Sequence, residues 1–203
     1  MDHRTPLPLL GLLVLLSGPA WAAERNPDWP CVQILVPTLE AGQIWAGDPI
    51  AGKEGAWRDL PAVAPLVRMA LDRSVEVETV EAEIERFAGT LGADRNAVLT
   101  ALFAGIFEGI NRERGETLAA IQRYARQQRG MLDRVAGDLA RLETLPPQSP
   151  EAGEVRERIA WTRRILDDRR RYQTAVCEQP VQLEQRLGRL ARAIAAHLAP
   201  HQE

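Results

Sequence analysis

Apolar residues recur with a helical period along most of this chain, from residue 59 onward. A first apolar stripe follows Pro61, a residue suited to the first turn of a helix, and stops near Arg73 and Ser74. A second stripe ends at a glycine by residue 92, and its members are Val80, Ile84, Phe87 and Leu91. The pattern therefore predicts two short helices, the first of which starts near Asp59.

The next stretch, residues 97–110, is apolar on nearly every side. Asp94 precedes it as a candidate N-cap, and Gly105 and Gly109 are spaced four apart within it. A bilayer span needs about 20 residues, so this shorter stretch with Glu108 in it predicts a buried core helix. The two glycines predict that another helix packs closely against it.

From Leu118 to Leu142 the apolar positions step by three and four, which is the spacing of a coiled-coil contact stripe. Its members are Leu118, Ile121, Ala125, Gln128, Leu132, Val135, Leu139 and Leu142. Pro146 and Pro147 end this helix in a turn, and a returning helix is predicted over 151–177. A short turn makes two helices antiparallel neighbours, so we expect a protruding coiled-coil hairpin over 112–177, about 40 Å long.

Two points along these helices allow more than one interpretation. The polar stretch 111–115 coincides with a four-residue phase slip, and it could be a hinge, a polar contact layer, or the point where the helix leaves the base. Pro180 is expected to start or kink a last amphipathic helix over 181–198. That helix is expected to close the base; a partner or a membrane surface is the alternative occupant of its apolar stripe.

The segment 23–57 lacks a helical period and is rich in proline and glycine. It contains three tryptophans, Trp29, Trp45 and Trp57, whose indoles are large apolar groups. We expect an irregular N-terminal arm that lies across the helical domain 58–203, with the tryptophans as anchors. The alternative is that these tryptophans form a ligand site or contact a partner.

The first residues predict the compartment. Arg4 is followed by an apolar run over residues 7–16, and Ala20-Trp21-Ala22 offers small residues at a cleavage site. A charged start, a short apolar run and such a site are typical of a secretory signal peptide over 1–22, with a retained N-terminal anchor as the alternative. We therefore expect a periplasmic or secreted protein.

The two cysteines of the chain, Cys31 and Cys177, both lie after this leader. An isolated pair in an exported chain is most simply a disulfide, because oxidising compartments favour the bond. A haem-attachment motif is absent, and a lipoprotein cysteine would directly follow the apolar run. A Cys31–Cys177 bond would fasten the arm to the foot of the hairpin.

The remaining composition argues against several functions. A net charge of −3 with arginines on every helix does not predict nucleic-acid binding, which needs a concentrated basic surface. His197 and His201 have the spacing of a metal pair, but Pro200 between them and the nearby chain end favour a frayed tail, so no metal site is predicted. With no other histidine after the leader, histidine-dependent hydrolysis is not expected, and no phosphate-binding glycine loop is found.

Together these patterns predict an all-α fold: a small helical base, a protruding antiparallel coiled-coil hairpin, and a disulfide-fastened N-terminal arm. The first functional hypothesis is a non-enzymatic interaction, assembly or accessory factor of the cell envelope, without a cofactor, which binds another envelope protein. The second hypothesis is small-ligand binding at a site formed by Trp29, Trp45 and Trp57.

Overall fold

The computed structural model describes residues 26–200, so the expected signal peptide over 1–22 lies outside the described residues. Four α-helices make up most of it, and residues 26–200 contain no strand. They are α1 (Ala64–Leu71), α2 (Val77–Gly89), α3 (Arg95–Thr144) and α4 (Pro150–Ala195). Two short 3-10 turns, Ala41–Gln43 and Ala56–Asp59, precede them. The prediction of an all-α fold is confirmed.

The base of the molecule is built from α1, α2, the first turns of α3 and the last turns of α4. Its side chains form one continuous apolar core. The fully buried members include Val67, Ala70, Val80, Ile84, Leu99, Leu102, Phe103, Ile106, Leu187, Leu190 and Ile194. The apolar stripe of residues 183–194 is thus packed inside the base.

Arginines of α4 connect the short helices to this core. The Arg186 guanidinium donates to the carbonyl oxygens of Ala70, Asp72 and Val75 at 2.9–3.1 Å, where α1 ends and backbone acceptors lack helical partners. Arg189 pairs with Glu78 and Glu81 of α2 at 2.7 and 2.6 Å. Through these arginines α4 makes polar contacts with both short helices. The apolar stripe of α4 alone would not specify these contacts.

Two predicted helix starts differ from the structure, and the structure also shows how the chain runs through a stretch that the sequence left open. Helix α1 begins at Ala64 with Pro65 in its first turn, because a 3-10 turn occupies the residues around Asp59. Helix α3 continues through the polar stretch 111–115. Pro180 lies inside α4, so the segment expected as a separate helix over 181–198 is the last part of that helix and ends at Ala195. A proline costs one backbone hydrogen bond in a helix interior, and packing on both sides of it can offset that loss.

The distal halves of α3 and α4 form the antiparallel helical hairpin. Ser149 caps α4 by accepting a hydrogen bond from the Ala152 N–H at 3.2 Å. Two bonds from Arg158 to Asp138, at 2.8 and 2.6 Å, connect the helices near the tip. Nearer the base, the Tyr124 hydroxyl donates to the Arg169 carbonyl at 2.8 Å.

The contact stripe of α3 shifts along the hairpin. Near the base the predicted positions Leu118, Ile121 and Ala125 are buried against α4, but further out Met131 is the buried residue. The predicted positions Leu132 and Leu139 are instead 55% and 48% exposed. The prediction of a single contact stripe over 118–142 is therefore wrong at these two positions, whereas the predicted positions Gln128, Val135 and Leu142 are half-buried.

The arm is fastened to α3 and α4 at several points. The Cys31–Cys177 disulfide is present, with 5.6 Å between the Cα atoms, and confirms the predicted pairing. Asp28 pairs with Arg126 at 2.9 Å and also with Arg129. Further contacts are the bonds from Gln173 to the Pro30 carbonyl, from Arg114 to the Pro37 carbonyl, and from the Leu39 N–H to Asn111.

Candidate interaction surfaces

The three tryptophans of the arm occupy different environments. Trp45 is buried in the base, where its ring stacks on Phe103 with 4.3 Å between centroids and 5° between planes. Its indole N–H donates to the Asp48 carbonyl at 2.9 Å. Trp29 is half-buried, and its indole N–H donates to the Gln33 carbonyl at 2.6 Å. Trp45 is therefore an anchor of the arm in the core.

Trp57 connects the arm to the first third of α3. Its indole N–H donates to the Glu108 carboxylate at 3.0 Å, and Arg58 binds the other oxygen of that carboxylate at 2.6 Å. The Trp57 hydrogen bond and the Arg58 hydrogen bond together lower the pKa of Glu108 below its ordinary value, because both stabilise the charged form. The Arg58 guanidinium also lies 4.6 Å from the center of the Trp57 ring.

The glycines of α3 permit this approach. A Cβ atom on Gly105 would lie 2.8 Å from both Trp57 Cγ and Val67 Cγ2, so only a glycine fits there without a shift. At Gly109 a Cβ atom would lie 2.5 Å from the Leu71 side chain. The predicted close packing at the two glycines is present, and it involves α1 and the arm.

The polar stretch 111–115 is a contact layer within the continuous α3. The Arg114 side chain is 3% exposed, and it donates to Glu184 of α4 at 2.6 Å and to the Pro37 carbonyl of the arm at 3.4 Å. Asn111 accepts from the Leu39 N–H at 3.3 Å. Of the interpretations left open by the sequence, a polar contact layer is the one these bonds favour.

A cavity of about 440 Å³ lies between the arm and α3 beside this layer. Ile50 of the arm and Ala104 and Phe107 of α3 supply apolar walls, and Glu108 and Asn111 supply polar atoms. Trp57 does not line the cavity, but its indole is hydrogen-bonded to Glu108, which does. The cavity combines an apolar interior with a charged carboxylate, which are the ingredients of small-molecule sites.

A second concave surface, the hairpin groove, has a volume of about 420 Å³ and lies between the outer parts of α3 and α4. Its apolar residues are Leu132, Val135, Leu139 and Leu166, and its charged residues are Arg163, Asp167 and Arg170. The two exposed leucines of the shifted contact stripe thus form its α3 side. Sequence reasoning missed this groove because it assigned both leucines to the contact with α4.

Other large apolar side chains are also exposed. Trp161 and Tyr172 of α4 are 63% and 67% exposed, and both lie more than about 100° around α4 from Leu166. On the arm, Val32 is 97% exposed although it neighbours the disulfide. The sequence carries no separate signal of this exposure.

Comparison of the chain with protein-family models, with curated proteins and with solved structures gives no match. Among the helices of residues 26–200, none is long and apolar enough to cross a membrane.

Proposed function

We propose that this chain is a non-enzymatic envelope protein, periplasmic or secreted after removal of a signal peptide, that holds another protein as an adaptor, assembly or accessory factor. The part of the chain that binds the other protein is the coiled-coil hairpin. The observation that carries this proposal is the exposure of Leu132, Leu139, Trp161 and Tyr172 on an elongated two-helix projection. Single exposed apolar residues are common on protein surfaces, whereas Leu132 and Leu139 line one groove together and so form a contiguous apolar surface of the kind found at interfaces.

The bracing of the hairpin supports this proposal. Arg158 and Asp138 connect its helices near the tip, Tyr124 connects them lower down, and Arg114 joins them to the arm. A surface held in one conformation before binding loses less conformational entropy on association. The disulfide adds to this bracing and is itself typical of an oxidising compartment.

Site-specific photo-cross-linking in the source cell tests the proposal. A photoreactive amino acid replaces Trp161 or Leu139 on the hairpin, and in a matched control it replaces Glu85, an exposed residue of α2 in the base. We expect at least one of the hairpin positions to cross-link to one discrete protein and the control position to give no such product. Absence of a product from both hairpin positions would overturn the proposal.

A second candidate function is small-ligand binding in the cavity between the arm and α3. It is favoured by the apolar walls of Ile50 and Phe107 beside the Glu108 carboxylate. Because Trp57 bonds to Glu108, a ligand there should change the fluorescence of that indole. A panel of envelope metabolites titrated into the protein would support this function by a saturable change that Phe107→Ala weakens, and a response equal in both proteins would refute it.

A further inference from the structure

Helix α3 carries a second apolar stripe that α4 leaves open. Leu132, Val135 and Leu139 are spaced by three and four residues, which is one full heptad of a helix–helix contact. The neighbouring position Met131 is buried, in contrast to Leu132 and Leu139. The outer half of α3 therefore presents two adjacent faces, one that is covered and one that has the spacing a further helix would match.

The opposite wall of the hairpin groove completes such a contact. Leu166 of α4 lies across from the two exposed leucines, so apolar groups come from both helices. A helix that docks between two antiparallel helices inserts side chains at three- and four-residue intervals into a groove of this kind. The groove is formed by regular helices, so its shape fits a third helix better than an irregular peptide.

The charged residues beside the groove indicate which charges the docked helix should carry next to its apolar positions. Arg163 and Arg170 lie on the α4 side, and neither has an ion-pair partner among the described residues. Asp167 lies between them, so the rim has one more positive charge than negative. Acidic residues beside the apolar positions of the incoming helix would pair with these arginines.

A second copy of this chain is a poorer occupant. Two hairpins that dock groove to groove in a closed dimer are related by a two-fold axis. With the axis at the centre of the groove, near Leu166, Arg163 of one copy meets Arg170 of the other, since each is three or four residues from that centre. The two arginine pairs repel, whereas an acidic helix neutralises them.

We propose that the hairpin groove binds an amphipathic α-helix of another protein, with leucine-type anchors at three- and four-residue spacing and acidic flanks, as the third helix of a bundle. This inference rests on the proposed interaction function and names the chemistry of the partner segment. The docked helix covers Leu132 and Leu139 and leaves Trp161 exposed, because Trp161 lies on another face of α4.

The test uses the full chain in its own cell, with the photoreactive amino acid at Leu132, at Leu139, and at Trp161 as the comparison. Sequencing of the cross-linked peptides should place both leucine products in one partner segment, on residues three, four or seven apart in a helix with acidic neighbours. The decisive variant is Arg163→Glu with Arg170→Glu, which should lower that cross-linking yield at least about tenfold because two favourable charge pairs become repulsive. Leu132→Gln, with the photoreactive amino acid at position 139, should reduce the cross-linking yield by a similar factor, because one apolar anchor contact is lost.

Several results would overturn the inference. One is a product between two copies of this chain, with a dimer in light scattering; another is a product with residues 1–25 of the same chain. The third is a product unchanged by charge reversal. Cross-linking from Trp161 but from neither leucine would overturn the groove as the docking surface and leave the proposed interaction function standing, whereas silence at all three positions would overturn both. Circular dichroism of each variant checks folding, and these exposed side chains are not expected to alter it.

Discussion

Substitution of Gly105 by alanine tests the closest packing contact between α3 and the arm. The added methyl group would lie 2.8 Å from the Trp57 ring and from Val67 Cγ2. Neither neighbour can move easily, because Val67 is fully buried and branched at Cβ and the Trp57 indole is hydrogen-bonded to Glu108. The clash therefore has to be relieved by shifts of the helix or of the arm.

The expected magnitude follows from two opposing contributions. Alanine is favoured over glycine in a helix interior by about 1 kcal/mol, and forcing an extra methyl group into a packed contact costs about 1–3 kcal/mol. With two stiff neighbours we expect the cost to exceed the gain, so that the free energy of unfolding falls by about 1–2 kcal/mol. Gly115 is the matched control, because a Cβ there would have no atom within 4 Å. Gly115→Ala should raise the free energy of unfolding by about 1 kcal/mol.

Urea unfolding followed by far-UV circular dichroism, with the disulfide intact, measures the difference between the two variants. We expect them to differ by about 2–3 kcal/mol, with Gly115→Ala the more stable. Tryptophan emission provides a second readout, since Gly105→Ala displaces the Trp57 indole and Gly115→Ala does not contact a tryptophan. If Gly105→Ala were as stable as Gly115→Ala, with unchanged emission, the close approach of the arm to α3 would be refuted.

Three further predictions concern other contacts of the arm. Replacing Cys31 and Cys177 by serine should lower the free energy of unfolding by up to about 5 kcal/mol, because the bond closes a loop of 146 residues in the unfolded chain; an unchanged urea midpoint would contradict this. The pKa of Glu108 is lowered in the folded protein, so its charged form contributes stability above its ordinary pKa of 4.5, and this contribution is lost as the pH falls through the folded value. The contribution of Trp57 to the emission should therefore titrate below pH 4.5 in the native protein and not in Glu108→Gln. Arg114→Ala should cost about 2 kcal/mol in urea unfolding through loss of charged hydrogen bonds, and an effect within error of zero would refute the contact layer.

Much of the architecture could be predicted because it depends on local chemistry. The prolines at 146 and 147 end a helix wherever they occur, and the turn they form forces the next helix to return. The disulfide followed from the count of cysteines and the expected compartment. These inferences needed no knowledge of which surfaces meet.

The errors occurred where distant contacts decide between local alternatives. Pro180 is a helix breaker by local rules, yet Cys177 and Leu183 on either side are held by the disulfide and the core, and the helix continues. In the hairpin, the three- and four-residue spacing of Leu132, Val135 and Leu139 is real, but Met131 is equally apolar and lies on the adjacent face. Spacing alone cannot say which of two neighbouring faces meets α4. The candidate docking groove arises from that choice, so the sequence could not reveal it.

The separation of the two cysteines sets an order of assembly for the newly made chain. Cys31 is synthesised near the start of the arm, and its partner follows only after all of α3 and more than half of α4. Cys31 therefore has no cysteine partner within the chain until synthesis has reached Cys177. Covalent attachment of the arm is consequently later than synthesis of all of α3, and any disulfide that Cys31 forms before then joins it to another molecule.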